Sequence, residues 1–226
     1  MIGIIQKIIK IALFGIVSML AFASPTYATS TAPYLEVTYT VQIPILETED
    51  VDINVWKSWG LTRSESVGRL RSDSVEFVSS QAYSSNRHVF TRPFFTFDTS
   101  VIPSGAIINS ASLNLYIESK LDQVNNPYYS YIAVLEGNPG DPTNITGDDY
   151  NDCSALDGAV LGSDKYDVTD ILTGAYKAFN LNSSGLGWIN TGGLTKLCMR
   201  DGHDIENQAF TSSGVWKSNL VGYSKD

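Results

Sequence analysis

A strict alternation of apolar and polar residues near the start of the chain constrains the fold more than any other feature. From Leu35 to Ile43 every second residue is apolar or aromatic, and the residues between them are polar or charged. Successive side chains of a β-strand point to opposite faces of its sheet, so this pattern predicts a strand with one buried face. Pro44 has no N–H for a sheet ladder and is expected to end the strand.

Similar alternation marks several later segments and predicts further short strands. The clearest lie within residues 51–55, 90–97, 111–117 and 129–135, and turn-forming residues separate them. No linker or repeat divides residues 51–226, and the 43% of hydrophobic residues is enough for one core. We therefore predict one all-β domain, a two-sheet sandwich of jelly-roll type.

One segment has helical periodicity instead. Its apolar residues recur three and four positions apart, as they do on one face of an amphipathic helix. Asp167 or Thr169 would cap the start of that helix. The sequence thus predicts one short helix, whose apolar face comprises Val168, Ile171, Leu172, Ala175, Tyr176 and Phe179.

The first residues have the composition of a secretion signal. Lys7 and Lys10 precede an apolar run over residues 11–23, and small residues suited to cleavage lie at 21–23 and 26–28. We favour cleavage after Ala28, which makes residues 1–28 a signal peptide and places the protein outside the cell or on its surface. A retained membrane anchor is the alternative, but the apolar run is shorter than the roughly 20 residues that a spanning helix needs.

Two cysteines, Cys153 and Cys198, follow the predicted cleavage site. In an oxidising compartment an isolated pair usually forms a disulfide, and closing this loop would contribute about 3–4 kcal/mol. Two buried free thiols are the alternative. Two cysteines with two distant histidines do not make a zinc site.

The net charge of −9 argues against nucleic acid as a partner. Two acidic loops offer oxygen ligands for a structural Ca²⁺, which is the one cofactor that the sequence suggests. The alternative is that these carboxylates form Asx turns and a solvated surface. The candidate ligands are Asp148, Asp149, Asp152, Asp201 and Asp204.

The sequence does not predict an enzyme. His88 and His203 are the only histidines, and no Gly-x-Ser-x-Gly or His-Glu-x-x-His motif is present. Aromatic side chains suit the faces of sugar rings, so binding of a cell-surface polysaccharide is a second hypothesis, although a sandwich core uses the same residues. The tryptophans concerned are Trp56, Trp59, Trp188 and Trp216.

Two Asn-x-Ser/Thr sequons lie on predicted loops and begin at Asn144 and Asn182. They are candidate glycosylation sites if the source organism modifies asparagine. Such sequons also arise by chance in chains rich in Ser and Thr.

Three stretches carry a family resemblance: residues 92–116 (RPFFTFDTSVIPSGAIINSASLNLY), 166–171 (YDVTDI) and 181–200. They resemble the core strand–turn–strand unit, the start of the single helix and the following stretch of DNRLRE-type jelly-roll domains. These domains occur in secreted bacterial and archaeal proteins and are related to some carbohydrate-binding modules. The motifs are structural, so the resemblance implies a fold and no particular ligand.

The resemblance also implies a displaced strand. Such domains usually end with a serine-rich turn and a Pro-x-Leu-x-Val-x-Tyr strand, whereas here the similar segment, residues 33–39, precedes the domain. A sandwich without its last strand exposes part of its core and leaves neighbouring strands unpaired. Residues 29–50 would then be a donor strand with its linker, and residues 51–226 the sandwich. Burying each apolar side chain of the donor would contribute about 1.5–3 kcal/mol before entropy costs.

The displaced strand can fill the gap in its own domain or in a neighbouring copy. In the second arrangement each subunit gives one strand and takes one, as in the donor-strand complementation of pili, and repetition builds a head-to-tail homopolymer. We favour a structural subunit of an extracellular filament or pilus, for which cell adhesion is an expected role. The alternative is a secreted monomeric module of carbohydrate-binding type with a circularly permuted strand. The donor residues are Tyr34, Leu35, Val37, Tyr39, Val41 and Ile43.

Overall fold

A computed structural model describes residues 47–70, 76–83, 87–123, 128–210 and 216–222, all within one compact unit. The described strands are β1 (Glu47–Lys57), β2 (Arg69–Leu70), β3 (Glu76–Tyr83), β4 (Arg87–Asp98), β5 (Ser112–Asp122), β6 (Tyr131–Glu136), β7 (Tyr166–Asp167), β8 (Ala175–Asn180), β9 (Leu194–Asp201) and β10 (Trp216–Gly222). The α-helices are short: α1 (Trp59–Ser64), α2 (Ser183–Gly187) and α3 (Gly202–Ile205). Two 3₁₀ turns cover Gly147–Asp152 and Val168–Asp170. No helix among these residues is long and apolar enough to cross a membrane.

The strands form one continuous antiparallel ladder that folds into two sheets. Sheet I has the order β2-β1-β4-β9-β6-β7, and sheet II has the order β3-β10-β5-β8. The two sheets are joined at β4, whose first residues also pair with β3. The all-β, two-sheet sandwich that the alternating segments predicted is confirmed.

Strand β4 is the point at which the sheets separate. On one edge it pairs with β1 from His88 to Phe97. On the other edge, residues 87–91 pair with β3 and residues 94–98 pair with β9, so the partner changes between Thr91 and Phe94. Pro93 lies in this interval, where its missing N–H interrupts neither the ladder with β3 nor the ladder with β9.

The main core lies between the two sheets. Its side chains come from β5, β8 and β10 of sheet II and from β4, β6 and β9 of sheet I, strands that are not all hydrogen-bonded neighbours. The two sheets therefore face each other across this core. Its fully or almost fully buried members include Phe95, Ile117, Ile132, Val134, Phe179, Met199 and Leu220.

A second core covers the opposite face of sheet I. Side chains of β1, β4, β6 and β9 pack there against residues from the long connection between β6 and β7. Consequently β6 is buried on both faces, and residues 131–135 read as a continuous apolar run. Phe94 and Phe95 of β4 likewise point into different cores.

The predicted helix over Val168–Phe179 is wrong. Val168–Asp170 makes a single 3₁₀ turn, the chain then reverses at Gly174 with a φ of 73°, and Ala175–Asn180 forms β8 beside β5. The apolar residues do not share one face, because Phe179 is buried while Leu172 and Tyr176 are 77% and 75% exposed. The helical spacing of the six apolar residues thus arose by chance, and pairing with β5 determines that this segment forms a strand.

The predicted boundary between the linker and the sandwich, after residue 50, falls inside a strand. Strand β1 begins at Glu47, and Glu47, Glu49 and Asp50 already pair with β4. The strand predicted over Val51–Val55 is confirmed and extends four residues further towards the N-terminus. Only Pro44, Ile45 and Leu46 separate the predicted donor strand from the sandwich. The donor residues from Tyr34 to Ile43 lie outside the described part of the chain.

Candidate functional site

Strand β8 ends sheet II. It pairs with β5 from Ala175 to Asn180, and within the described residues no strand pairs with its other side. We call this other side the β8 edge. A sheet edge of this kind presents N–H and C=O groups in the geometry that an added strand requires.

The hydrogen bonds around β8 show which backbone groups form this edge. The N–H of Leu181 donates to the carbonyl of Ala111, next to β5, whereas the N–H of Asn180 donates to the hydroxyl of Tyr166. Because the N–H and C=O of one strand residue point to the same side and alternate along the strand, the groups of Tyr176 and Ala178 point away from β5. Asn180 closes one end of the edge through Tyr166, and no described strand pairs with the stretch before it.

Partly buried apolar side chains flank the β8 edge. Tyr166 packs edge-on against Phe179 with ring centroids 5.0 Å apart, and both Tyr166 and Leu181 lie at the border of the main core. The ammonium of Lys177 lies 4.5 Å from the centroid of the Tyr166 ring. An added strand would cover this border on one face and meet a positive charge nearby.

The predicted disulfide between Cys153 and Cys198 is confirmed. The Cα atoms are 5.7 Å apart, and the bond joins the connection between β6 and β7 to the middle of β9. Both cysteines are fully buried in the second core. The bond therefore fastens a long surface segment onto sheet I.

A buried ionic cluster also holds the connection between β6 and β7 against sheet I. Arg92 of β4 and Arg200 of β9 each make two hydrogen bonds of 2.7–3.0 Å to the carboxylate of Asp204 in α3. All three side chains are at most 2% exposed. Arg92 also lies over the ring of Tyr150 at 4.0 Å, and Arg200 donates to the carbonyl of Ala155.

Arg63 of α1 joins the cluster from a different direction. Its Nε donates to the backbone carbonyl of Asp204, and its Nη2 donates to the carbonyl of Leu156 and to the carboxylate of Asp157. Three arginines that are far apart in the sequence thus surround one buried aspartate. They hold α1, α3 and residues 150–157 against sheet I.

The charge state of Asp204 follows from this arrangement. Burial alone would raise the pKa of Asp204, but the charges and hydrogen bonds of Arg92 and Arg200 lower it well below its usual value. Asp204 is therefore ionised at neutral pH. Its two oxygens face guanidinium groups, which leaves no room for a metal ion.

The other candidate Ca²⁺ ligands do not converge on one point. Asp201 accepts from the backbone N–H and ring Nδ1 of His203, and Asp149 accepts from the N–H groups of Thr146 and Gly140. Among the described residues, no group of three or more His, Cys, Asp or Glu side chains is arranged to hold a metal ion. Asp149 and Asp201 thus cap the 3₁₀ turn at Gly147–Asp152 and helix α3. Asp148 is exposed and Asp152 is half-buried.

Asp152 instead lines an open cleft of about 670 Å³. Burial raises the pKa of Asp152, and the charge and hydrogen bond of Asp149 raise it further. Trp188 forms another side of the cleft, and its ring packs so closely on Gly162 that a Cβ there would lie 2.0 Å from it. Among the residues that the structure describes, no lysine or arginine lines the cleft. The polar residues that line the cleft with Trp188 are Glu136, Asn138, Asn151, Asp152, Ser154, Ser183 and Ser184.

The remaining aromatic candidates have different settings. The backbones of Trp56, Trp59 and Trp216 lie in β1, α1 and β10, but their side chains fall outside the description. His88 and His203 are buried and both stack on Phe210, with ring centroids 6.2 Å and 4.2 Å from it. No local motif in the sequence indicates that the two histidines share a partner.

The two sequons also differ. Asn144 is exposed. The side chain of Asn182 caps α2, because its Oδ1 accepts from the N–H groups of Ser184 and Gly185 while its Nδ2 donates to the carbonyl of Leu161. A glycan on Asn182 would occupy that amide nitrogen, so Asn144 is the accessible acceptor of the two.

Comparisons with protein-family models, with curated proteins and with solved structures found no match for this chain. The candidate site therefore rests on the geometry of the chain itself.

Proposed function

We propose that the protein is a structural subunit of an extracellular filament, which polymerises when residues 34–43 of one copy add as a strand to the sheet of the next. The observation that carries this proposal is the short distance along the chain between the donor segment and the sandwich. With only Pro44, Ile45 and Leu46 between them, the near end of the segment starts within about 10 Å of β1, and its ten residues can extend about 33 Å further as a strand. A neighbouring copy in contact with the subunit lies within that reach.

Several features of the sandwich suit this role. The disulfide and the buried arginine cluster hold the long segment between β6 and β7 in place, as a subunit exposed to an extracellular environment requires. The disulfide agrees with export through the predicted signal peptide. The resemblance to DNRLRE-type domains, with the last strand moved to the front, supplies the reason why the sheet would need a strand from outside.

Sedimentation of the chain that begins at Thr29 tests the proposal. Because each copy can give one strand and take one, we expect the weight-average mass to rise with concentration. Heating in SDS should convert ladders of oligomers to the single subunit. A chain that sediments as a monomer at every concentration would exclude a filament subunit.

A second candidate function is carbohydrate binding in the Trp188 cleft. A sugar ring can stack on the indole, while the carboxylates and amides around it accept and donate hydrogen bonds to hydroxyl groups. Glu136 and Asp152 line the cleft, and their carboxyl groups favour a neutral or cationic polysaccharide over an anionic one. Such a site is compatible with a filament that attaches to a cell surface.

Substitution of Trp188 tests this second function. We expect Trp188→Ala to weaken retention on a neutral polysaccharide about tenfold or more in affinity electrophoresis, since an aromatic contact contributes about 0.5–1.5 kcal/mol beyond its buried area. Leu172→Ala, at an exposed position, is the matched control and should migrate as the unmodified protein does. Equal retention of all three proteins would remove the cleft as a sugar site.

A further inference from the structure

We infer that the Trp188 cleft binds a polysaccharide whose sugar rings carry free ammonium groups, as in an amino-sugar polymer without acetyl groups. This inference rests on the second candidate function, carbohydrate binding, and specifies the chemical class of the sugar. It is independent of the filament proposal, because every residue that it uses lies in the sandwich.

A short antiparallel bridge directs two carboxyl groups towards the cleft. Gly137 pairs with Cys153. The N–H of Asn138 donates to the carbonyl of Asp152 over 2.7 Å. Because Cys153 is buried in the second core, the positions on either side of the paired residues face the opposite way. The residues at these positions all line the cleft: Glu136, Asn138, Asp152 and Ser154.

The charges around the cleft favour a cationic sugar over a neutral one. Among the described residues that line it, Glu136 and Asp152 carry carboxyl groups and none carries a positive charge. Burial and the neighbouring carboxylate of Asp149 raise the pKa of Asp152, and the opposing charge of Lys196 does not offset them. An ammonium group placed there gains an attraction that a neutral hydroxyl group lacks, whereas a carboxylated or sulfated sugar would add repulsion.

The rest of the lining suits a sugar better than a basic peptide. The volume of about 670 Å³ can hold a pyranose ring and lies within the range of about 300–1,000 Å³ that is typical of small-molecule sites. The indole of Trp188 packs on Gly162, and the cap of α2 at Asn182 is hydrogen-bonded to Leu161, so the aromatic surface is held in place before binding. The amide and hydroxyl groups that can bond to sugar hydroxyls belong to Asn138, Asn151, Ser154, Ser183 and Ser184.

Two oligosaccharides of equal length, one of glucosamine and one of N-acetylglucosamine, separate the effect of charge from that of ring stacking. We expect the unmodified protein to bind the glucosamine oligomer about fivefold or more tightly than the acetylated one in titration calorimetry. The measurement is made at about pH 6, where most carboxyl groups are ionised and amino groups are protonated.

Variants of the same net charge locate this preference in the cleft. Glu136→Gln combined with Asp152→Asn should remove the preference, because the amides keep the shape of the carboxyl groups and lose their charge. Asp148→Asn combined with Asp164→Asn is the matched control, since both residues are exposed and neither lines the cleft, and it should keep the preference. The ratio of the two affinities does not depend on what fraction of a variant is folded.

Salt provides a second readout on the unmodified protein. The preference for the glucosamine oligomer should shrink between about 0.05 M and 1 M salt, because screening weakens the attraction between exposed charges. Equal affinity for the two oligomers, a preference that does not change with salt, or one that survives Glu136→Gln with Asp152→Asn would overturn the cationic sugar. If Trp188→Ala still weakened the binding of both oligomers, the cleft would remain a carbohydrate site.

Two further results would overturn the inference in other ways. Polylysine that bound as tightly as the glucosamine oligomer, with the same dependence on Trp188, would replace the sugar by a basic protein segment. Failure of both oligomers to bind would remove the carbohydrate function and the amino-sugar assignment together, and would leave the filament proposal unaffected.

Discussion

Aspartates at Val37 and Val41 are expected to abolish polymers, whereas aspartates at Thr38 and Thr40 are expected to leave most of them intact. The strict alternation places the first pair on the apolar face of the donor strand and the second pair on the polar face. Burying an unpaired carboxylate costs several kcal/mol, and each lost valine removes about 1.5–3 kcal/mol of burial. The summed loss exceeds what the backbone hydrogen bonds of one added strand can offset.

The two variants carry the same added charge, so they separate burial from electrostatic repulsion between subunits. Sedimentation and electron microscopy of both proteins at equal concentration provide the comparison. If both pairs of substitutions lowered polymer formation equally, the segment would act through its charge or its flexibility and not as a strand with one buried face.

The second large effect concerns stability. Asp204→Asn removes the single negative charge between two buried guanidinium groups, Arg92 and Arg200, and keeps the size of the side chain. Breaking a buried ion pair in this way costs about 3–5 kcal/mol, because the charges left behind lose their compensation. For a chain of this length we expect Tm to fall by roughly 6–20 °C in thermal unfolding followed by circular dichroism.

Asp157→Asn is the matched control for this prediction. Asp157 also accepts from a buried arginine, Arg63, but it is 73% exposed, and surface pairs contribute about 0–1 kcal/mol. A fall in Tm that was equal for the two variants, or absent from both, would contradict the structural role assigned to Asp204.

The same carboxylate makes stability depend on pH in the acid range. Its pKa is lower in the folded state than the ordinary value of 3.8, so the folded state binds fewer protons than the unfolded state at low pH. The stabilisation is fully present above that ordinary value and is lost as the pH falls through the folded-state pKa. The Asp204→Asn variant should therefore lose less stability than the unmodified protein between about pH 4 and pH 2.

The sequence predicted those features that depend on local pattern. Alternation predicted the strand at Val51–Val55 and the strands that became β4 and β5. The isolated pair of Cys153 and Cys198 predicted the disulfide. The helix prediction over 168–179 failed, because spacing alone did not account for Gly174 or for the pairing of β8 with β5. Local signals contain no information about which distant strand will supply a partner.

The arginine cluster could not be predicted for a related reason. Arg63, Arg92 and Arg200 lie on three separate elements, and Asp204 belongs to a loop whose acidic composition suggested Ca²⁺. Arginine is rarely fully buried unless it is paired, so the default expectation for each of them is a solvated side chain. Only the fold brings the four side chains together.

Negative-stain electron microscopy of two chains, one beginning at Thr29 and one beginning at Pro44, tests most directly whether the leading strand joins one subunit to the next. We expect fibres from the longer chain and single, less stable particles from the shorter one. Fibres of normal appearance from the chain that lacks residues 29–43 would contradict a role of this strand in joining subunits.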